Sequence, residues 1–430
     1  MVEPSHRTDG TSADETRLWH PFADMAAVRH AELTIVRGED VWVFDDEGTR
    51  YLDATASLWY ANAGHGRCEI ADAVHAQMVR LEAYSAFGDF ANVPARELAA
   101  RLARLAPVPD ARVFLTTGGG EAIDTAAKLA RRYWSALGAP ERMHLIGRTG
   151  GYHGTNGYGT SLGGIEPNRA GYGPLMPGTS LVAHDSLAAL EAELLRVGPE
   201  RVAAVFVEPV IGAGGLYPPV AGYLEGVAAL CAEHGVLLVC DEVICAFGRV
   251  GHWFASERWA LEPDMIVFAK GVTSGYLPLG GVVVSGRVAK PFWSEPGTVL
   301  RHGATYSAHA SCCAAALANM DVLEREGLVA RGAELEDELL AALAPLAAHP
   351  LVAQVRGGTG LLAAIAIEPD ALDGGSTPGA VAAAARERGV LVRALPGAIA
   401  TSPPLTIGRE QLEQIGSVLA ASLDAVAATV

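Results

Sequence analysis

The stretch EPDMIVFAKGVTSGYLPLGG, residues 262–281, decides the fold. Within it the apolar run MIVFA ends at Lys270. Three similar runs, at residues 112–117, 203–210 and 235–243, are separated from it and from one another by helical patterns. Short strands of Val, Ile, Leu and Phe that alternate with helices are typical of a mainly parallel sheet covered on both faces. We therefore predict an α/β fold with such a sheet at its centre.

Composition narrows the class of protein. The chain has 430 residues, of which 50% are hydrophobic and 19% charged, so we expect a globular body. The formal net charge of −17 argues against nucleic acid as a partner. We find no uninterrupted apolar run long enough for a membrane span and no apolar signal core at the N-terminus. The six cysteines form no CxxC pair, which favours reduced thiols and a cytoplasmic protein.

The chain divides into four parts by pattern. Residues 1–17 are polar and are predicted to form a flexible tail. Residues 18–70 contain a hairpin pattern around Gly48, and residues 71–312 alternate strands with helices. Residues 313–430 are rich in Ala and Leu with helical spacing and contain two further strand-like runs. We predict a large domain at 71–312 and a smaller α+β domain formed by 18–70 together with 313–430.

Common catalytic templates are absent from the sequence. The three glycines at 118–120 follow a strand, but no third glycine stands where GxGxxG requires one. GxxxxGK[ST] and HExxH do not occur. The histidines do not fall at ligand spacings beside Cys or Glu, so we predict no metal site.

Polar residues at the strand ends carry the chemistry instead. Gly118–Gly120, Glu208, Asp241 with Glu242, and Lys270 each follow an apolar run, and ligands of open α/β sheets bind at the carboxyl ends of the strands. Each has a structural alternative: a turn, a helix cap or an ion pair. Taken together, a glycine-rich helix start suits a phosphate, and a buried lysine of lowered pKa suits a Schiff base. A carboxylate beside them completes what pyridoxal phosphate requires.

From about Trp19 to its C-terminus the chain resembles the class III pyridoxal-phosphate aminotransferases, which have fold type I, the aspartate-aminotransferase type. The segments that carry the resemblance are TTGGGEAID, GGYHGTNGYG, DEVICAFGRVG, the stretch around Lys270 and HGATYSAHASCCAAALAN. The resemblance implies that Lys270 is the Schiff-base lysine and that Asp241 binds the pyridine nitrogen. Val243 and Tyr152 would pack on the two ring faces, and Thr305 would reach the phosphate of the neighbouring subunit. The implied assembly is a homodimer with shared active sites.

The sequence departs from the family pattern at four positions. Gly118 and Gly120 stand where the family commonly has serines, so Gly118, Gly119 and Gly120 would bind phosphate through backbone N–H groups without a hydroxyl. Ala308 and Ala310 replace the usual Gly and Pro around a histidine. None of these changes touches the proton-transfer chemistry.

Within the family, SLWYANAGHGR and GVLVRALPGAIATSPPL resemble the amine:pyruvate and ω-amino acid aminotransferases, or ω-transaminases. This implies that Trp59, Phe87 (from the partner subunit) and Tyr152 line the substrate pocket and that Arg393 receives a substrate carboxylate. The alternatives are core packing for the two aromatic residues Trp59 and Phe87, and a surface position or a structural ion pair, for example with Glu208, for Arg393.

Other functions stay open. LWHPFADM resembles the start of the diaminopelargonic acid aminotransferases of biotin synthesis, although those carry Tyr where this chain has Phe22 and Trp where it has Leu58. An aminotransferase of secondary metabolism is compatible, and a glutamate-semialdehyde aminomutase fits Trp59 and Arg393 less well. A phosphate-binding protein without catalysis and another pyridoxal reaction, such as decarboxylation or racemisation, are the hypotheses from other classes.

Overall fold

The computed structural model describes residues 16–428. Most of the predicted tail, residues 1–17, therefore lies outside the described residues. The described chain begins with α1 and a three-stranded meander, and a short irregular helix follows. These elements are α1 Met25–Val28, β1 Ile35–Glu39, β2 Trp42–Asp45, β3 Arg50–Asp53 and α2 Ala56–Trp59. The predicted hairpin is β2 with β3, and Gly48 takes a left-handed φ of 85° in its turn.

The middle of the chain alternates helices and strands. Its elements are α3 Cys68–Leu81, α4 Val93–Leu105, β4 Arg112–Thr116, α5 Gly119–Ala136, β5 His144–Arg148, α6 Gly157–Leu162, β6 Thr179–Val182, α7 Leu187–Val197, β7 Val202–Val207, α8 Tyr223–Glu233, β8 Leu237–Asp241, β9 Met265–Phe268, β10 Gly280–Val284 and α9 Gly286–Trp293. The last part contains α10 Ala310–Arg325, α11 Leu328–Glu334, α12 Glu336–Leu343, β11 Val352–Arg356, β12 Ala363–Ile367, α13 Thr377–Glu387, β13 Val390–Leu391, β14 Arg393–Leu395, β15 Ala398–Thr401 and α14 Arg409–Ala427.

A seven-stranded sheet in the order β4-β10-β9-β8-β7-β5-β6 forms the centre. Neighbours from β9 to β6 are parallel, whereas β10 runs antiparallel to both β9 and β4. Six strands therefore point the same way, which confirms the predicted α/β fold with a mainly parallel sheet. The carboxyl ends of β4, β7, β8 and β9 consequently meet at one edge.

Both faces of this sheet are buried, as its apolar strands predict. Val205, Leu238 and Cys240 pack on one face, under α7 and α8. Phe206 and Val239 alternate with them and pack on the other face, against α5. Alternate side chains of a strand point to opposite faces, so each strand must be apolar throughout.

Two smaller four-stranded sheets flank the central one, in the orders β1-β2-β3-β13 and β11-β12-β15-β14. The pairing of β13 with β3 is parallel and joins the N-terminal segment to the C-terminal one. This pairing supports the division of the chain near residues 70 and 313, which stays a prediction.

Arg249 connects segments that lie far apart in the sequence. It is fully buried and donates from Nη1 to the carbonyl of Pro403 at 2.6 Å and from Nη2 to Oδ1 of Asn62 at 2.9 Å. Burial lowers the pKa of Arg249 to about 10. The cation therefore holds distant segments in place around one edge of the sheet.

Several strands were not predicted from the sequence: β5, β6, β10, β11 and β15. β6 has four residues and lies at the sheet edge, where few neighbours demand apolar side chains. β10 starts with two glycines, which weaken any strand pattern. Their formation depends on pairing with distant strands, which a local pattern does not contain.

Candidate active site

A cavity of about 420 Å³ lies at the carboxyl ends of β4, β7, β8 and β9. The residues predicted at the strand ends line it, except Glu242, together with residues of the loop after β5. The predicted residues in its wall are Gly118, Gly119, Gly120, Tyr152, Glu208, Asp241, Val243 and Lys270. We call Gly118–Gly120, Asp241 and Lys270 the strand-end cluster. The sheet topology alone brings its members together.

The glycine loop forms one wall of the cavity. α5 begins at Gly119 and runs for 18 residues, and Gly118 precedes it without a side-chain cap. A Cβ at Gly118 would meet no atom within 4 Å, whereas one at Gly119 would lie 3.1 Å from a methyl group of Val243. The absent side chains leave the first N–H groups of a long helix open toward the cavity, which suits a phosphate.

Lys270 follows β9 and opens a short 3₁₀ turn, Lys270–Val272. Its φ of 47° lies in the left-handed region, a strained conformation for a lysine that is typical of functional sites. Burial lowers the pKa of Lys270, while the carboxylates of Asp241 and Glu208 oppose this shift. Lys270 thus loses its proton more readily than a surface lysine, as both a nucleophile and a general base require.

Asp241 ends β8 with both carboxylate oxygens engaged. Oδ2 lies 2.7 Å from Nδ1 of His153, and Oδ1 accepts from the backbone N–H of Val243 at 3.1 Å. Asp241 and His153 are both buried, with exposures of 4% and 2%. Since a carboxylate accepts, Nδ1 of His153 is the donor of this bond. The two bonds fix the plane of the carboxylate at the cavity wall.

His153 is a site residue that the sequence reasoning missed. It lines the cavity and is the side-chain partner of Asp241. A lone histidine matches no spacing template, and its place directly after Tyr152 in GYHG was the available signal.

Glu208 and Glu242 are buried carboxylates with different surroundings. Glu208 lines the cavity and accepts from the backbone N–H groups of Tyr152 at 2.8 Å and Gly212 at 3.1 Å. Burial raises the pKa of Glu208. Glu242 is the neighbour of Asp241 in sequence but accepts from Ala255 and Ser256 at the start of a 3₁₀ turn. Glu208 therefore holds the Tyr152 loop, and Glu242 holds a turn.

Trp59 and Arg393 lie together, although neither lines the 420 Å³ cavity. The guanidinium carbon of Arg393 lies 5.6 Å from the Trp59 ring centre, and Trp59 is 3% exposed. Burial lowers the pKa of Arg393. No carboxylate of the described residues pairs with Arg393, and its Nε has no hydrogen-bond partner there. The suggested ion pair with Glu208 is absent, whereas Trp59 does pack in a core cluster.

Phe87 and Thr305 lie apart from Lys270 within one chain. Phe87 is 54% exposed and forms part of a second cavity, of about 290 Å³, with Gly303 and Ala304. Thr305 is exposed in the same loop. One protomer does not bring these two residues to the strand-end cluster.

The donor set fits pyridoxal phosphate. The glycine cradle would receive the phosphate, Asp241 the pyridine nitrogen, and Lys270 the aldehyde carbon. Val243 and Tyr152 both line the space between them. Among residues 16–428 no group of three or more His, Cys, Asp or Glu is placed to hold a metal ion.

Comparisons with known proteins agree with this chemistry. A model of the family "Aminotransferase class-III" matches residues 25–423. The chain belongs to the class III aminotransferases. It is similar to a probable aminotransferase of Mycobacterium tuberculosis, at 41% identity over 83% of this chain and 79% of that one. It is also similar to a putrescine–pyruvate aminotransferase of Pseudomonas aeruginosa, at 36% identity over 95% and 94% of the two chains.

Solved structures extend the comparison to the fold. The class III chain superposes on an amine transaminase from an uncultivated Pseudomonas species, solved with pyridoxal phosphate bound, with a TM-score of 0.91 and 35% identity. The match covers 96% of this chain and 100% of the other. The predictions of fold type I, of an aminotransferase and of pyridoxal phosphate as its cofactor are confirmed. Within the described part of the chain, no helix has the length and apolar character needed to cross a membrane.

Proposed function

We propose that this class III aminotransferase moves an amino group from a primary amine or ω-amino acid to a small keto acid such as pyruvate. One observation carries the proposal: a half-buried lysine of lowered pKa shares a cavity with a glycine cradle and the Asp241–His153 pair. The amine- and ω-amino-acid-specific names of several relatives, such as the putrescine–pyruvate enzyme, support the substrate class.

The chain's own residues would hold the cofactor in one orientation. When bound, pyridoxal phosphate supplies an electron sink for the bond that is broken at the donor carbon. Asp241, fixed by His153 and Val243, would keep a proton on the pyridine nitrogen. Gly118–Gly120 would hold the phosphate, and Tyr152 and Val243 would limit movement of the ring.

Lys270 would move the proton. Its Nζ is a primary amine whose lowered pKa favours the neutral form. Neutral Nζ would take the proton from the donor carbon as general base and then give it up again as general acid.

Arg393 would select donors and acceptors by their carboxylate. Its guanidinium has no carboxylate partner among the described residues, so it is available for a planar, bidentate contact with a substrate. The Trp59 ring, which lies next to the guanidinium, would fix its orientation, and Tyr152 would contact the substrate from the cavity wall. Phe87 would act from the partner subunit.

A homodimer would complete each site. Thr305 and Phe87 are exposed, and Phe87 lines the 290 Å³ cavity away from Lys270, which supports a role of both residues in the site of a neighbouring subunit. We further propose that the enzyme is cytoplasmic and that its partners are small molecules and a second copy of the chain.

A panel of donors tests the substrate class. Putrescine, β-alanine and a benzylic amine are assayed against pyruvate, and S-adenosylmethionine is assayed against the ketone precursor of biotin synthesis. Turnover of the first group is the expected result. Turnover of S-adenosylmethionine with that ketone alone would favour the diaminopelargonic acid reading. Activity with none of them, despite bound cofactor, would favour a specialised biosynthetic acceptor.

A further inference from the structure

The phosphate cradle has no free hydroxyl of its own. Its two threonines are committed within the loop: Oγ1 of Thr116 donates to the carbonyl of Gly118 at 3.0 Å, and Oγ1 of Thr117 donates to Oε2 of Glu121 at 2.7 Å. Gly118 and Gly120 carry no side chain. A phosphate in this cradle therefore has backbone N–H groups and no side-chain donor from the loop.

A neighbouring loop approaches the cradle closely. Gly154 has a φ of 82°, and a Cβ there would lie only 2.8 Å from Cα of Gly120. The absence of side chains at both glycines permits this approach. It brings the residues that follow Gly154 directly over the start of α5.

Asn156 fills the place of the missing side chain. A Cβ built on Gly120 would point at the Asn156 amide, 3.5 Å from Cγ, 3.5 Å from Nδ2 and 3.6 Å from Oδ1. A serine hydroxyl at position 120 would extend into the same space.

The Asn156 amide is free to serve a ligand. Asn156 precedes α6, yet its side chain caps no N–H group of that helix. Within the described chain the Asn156 side chain makes no hydrogen bond, and the residue is exposed in one protomer. Asn156 lines a groove of about 450 Å³ next to the cradle, and its amide, without an internal partner, offers two N–H donors.

We propose that Asn156 donates from Nδ2 to the cofactor phosphate and replaces the hydroxyl that this chain lacks at Gly120. The inference rests on the proposed function and adds a cofactor-binding residue to it. A hydrogen bond to a charged acceptor stabilises binding by an amount that corresponds to about tenfold or more in affinity.

Titration of the cofactor-free protein tests this role. Pyridoxal phosphate and pyridoxal, which lacks the phosphate, are titrated separately, and the absorbance of the bound cofactor is followed. Asn156→Ala should lower the affinity for pyridoxal phosphate about tenfold and leave the affinity for pyridoxal unchanged. Asn156→Asp should lower the affinity for pyridoxal phosphate further, because a carboxylate repels the phosphate. Asn168→Ala is the matched control, because Asn168 lines the same groove of about 450 Å³ as Asn156, and it should change neither affinity.

Rescue by serine separates this role from a structural one. Gly120→Ser in the Asn156→Ala background should restore affinity for pyridoxal phosphate, since the added Cβ makes no contact shorter than 3.5 Å. Unchanged affinity in both Asn156 variants, or an equal loss for pyridoxal, would overturn the inference. Failure of the unaltered protein to bind pyridoxal phosphate would instead overturn the proposed function, and this inference with it.

Discussion

The two halves of the candidate site are built differently. The strand-end cluster comes from one sheet, and parallel strand ends position all its members within one chain. Trp59, Phe87 and Arg393, which we call the substrate-side set, come from segments outside that sheet. The structure brings Trp59 to Arg393 but leaves Phe87 apart. We infer that chemistry depends on the rigid sheet edge and that substrate choice depends on outlying segments. Substitutions in the strand-end cluster should therefore reduce activity with all amino donors alike. Substitutions in the substrate-side set should reduce activity with some donors more than with others.

Lys270→Ala should have the largest effect. Removing the group that moves the proton lowers turnover with every donor by about 10³-fold or more, since acid–base catalysis alone contributes about 10²–10⁴. Initial rates with several amines and pyruvate measure this loss. Lys290→Ala, an exposed lysine on α9, is the control and should retain full activity. Comparable activity in both variants would remove the lysine from the mechanism.

Asp241→Asn should be nearly as damaging. The amide cannot hold a proton on the pyridine nitrogen, so turnover should fall by about 10²–10³-fold for all donors. His153→Ala should cause a smaller loss, because it removes the group that orients Asp241 but keeps the charge. Rates are measured at saturating cofactor. A larger loss in His153→Ala than in Asp241→Asn would contradict the assignment.

Arg393→Ala should affect amino donors that carry a carboxylate more than donors that do not. In the first half-reaction, without keto acid, the apparent affinity for a carboxylate-bearing donor such as β-alanine should fall about 10- to 100-fold. The affinity for a benzylic amine, which lacks a carboxylate, should change little. Arg393→Lys keeps the charge without the bidentate fork and should be intermediate. Equal losses for both donors would show that Arg393 acts through packing on Trp59.

Thr305→Ala should lower the affinity for the cofactor by about 2- to 10-fold, which is the contribution of one hydrogen bond. Mixed dimers with Lys270→Ala tell which subunit Thr305 serves. If it serves the partner, both defects fall on one site, and the other site keeps unaltered affinity and activity. A mixed dimer with no unaltered site would place Thr305 in its own chain's site and contradict the proposal.

Glu242 should affect stability rather than chemistry, although it is the neighbour of Asp241. Burial raises the pKa of Glu242 from 4.5 to about 7. Between these values the folded protein keeps a proton that the unfolded chain has released, so this group lowers the free energy of unfolding as pH rises. Urea unfolding at about pH 5 and about pH 7.5 should show a smaller pH-dependent decrease in Glu242→Gln than in the unaltered protein. An identical decrease in both would refute this role.

The sequence predicts the strand-end cluster better than it predicts the rest of the site. Lys270 and Asp241 follow unbroken apolar runs, and such runs fix strand ends from local pattern alone. Once the strands are parallel, those ends must meet, so the cluster could be inferred without coordinates.

The site residues that the hydrophobic pattern did not predict lie in loops. His153 and Asn156 lie after β5, a strand whose two apolar residues between polar ones give no clear signal. Their positions depend on the close approach of Gly154 to Gly120, a packing contact rather than a periodicity. The place of Phe87 and Thr305 depends on a second subunit, which no single chain contains.

The two half-reactions test the central claim most directly. The purified protein with pyridoxal phosphate is mixed with a primary amine alone, and the absorbance of the bound cofactor is followed; pyruvate is then added. We predict that the amine abolishes the absorbance band in proportion to the aldehyde formed, that pyruvate restores it with formation of alanine, and that Lys270→Ala shows neither change at a comparable rate. A band that the amine leaves intact, or one that is lost and that no keto acid restores, would contradict amino transfer by this chain.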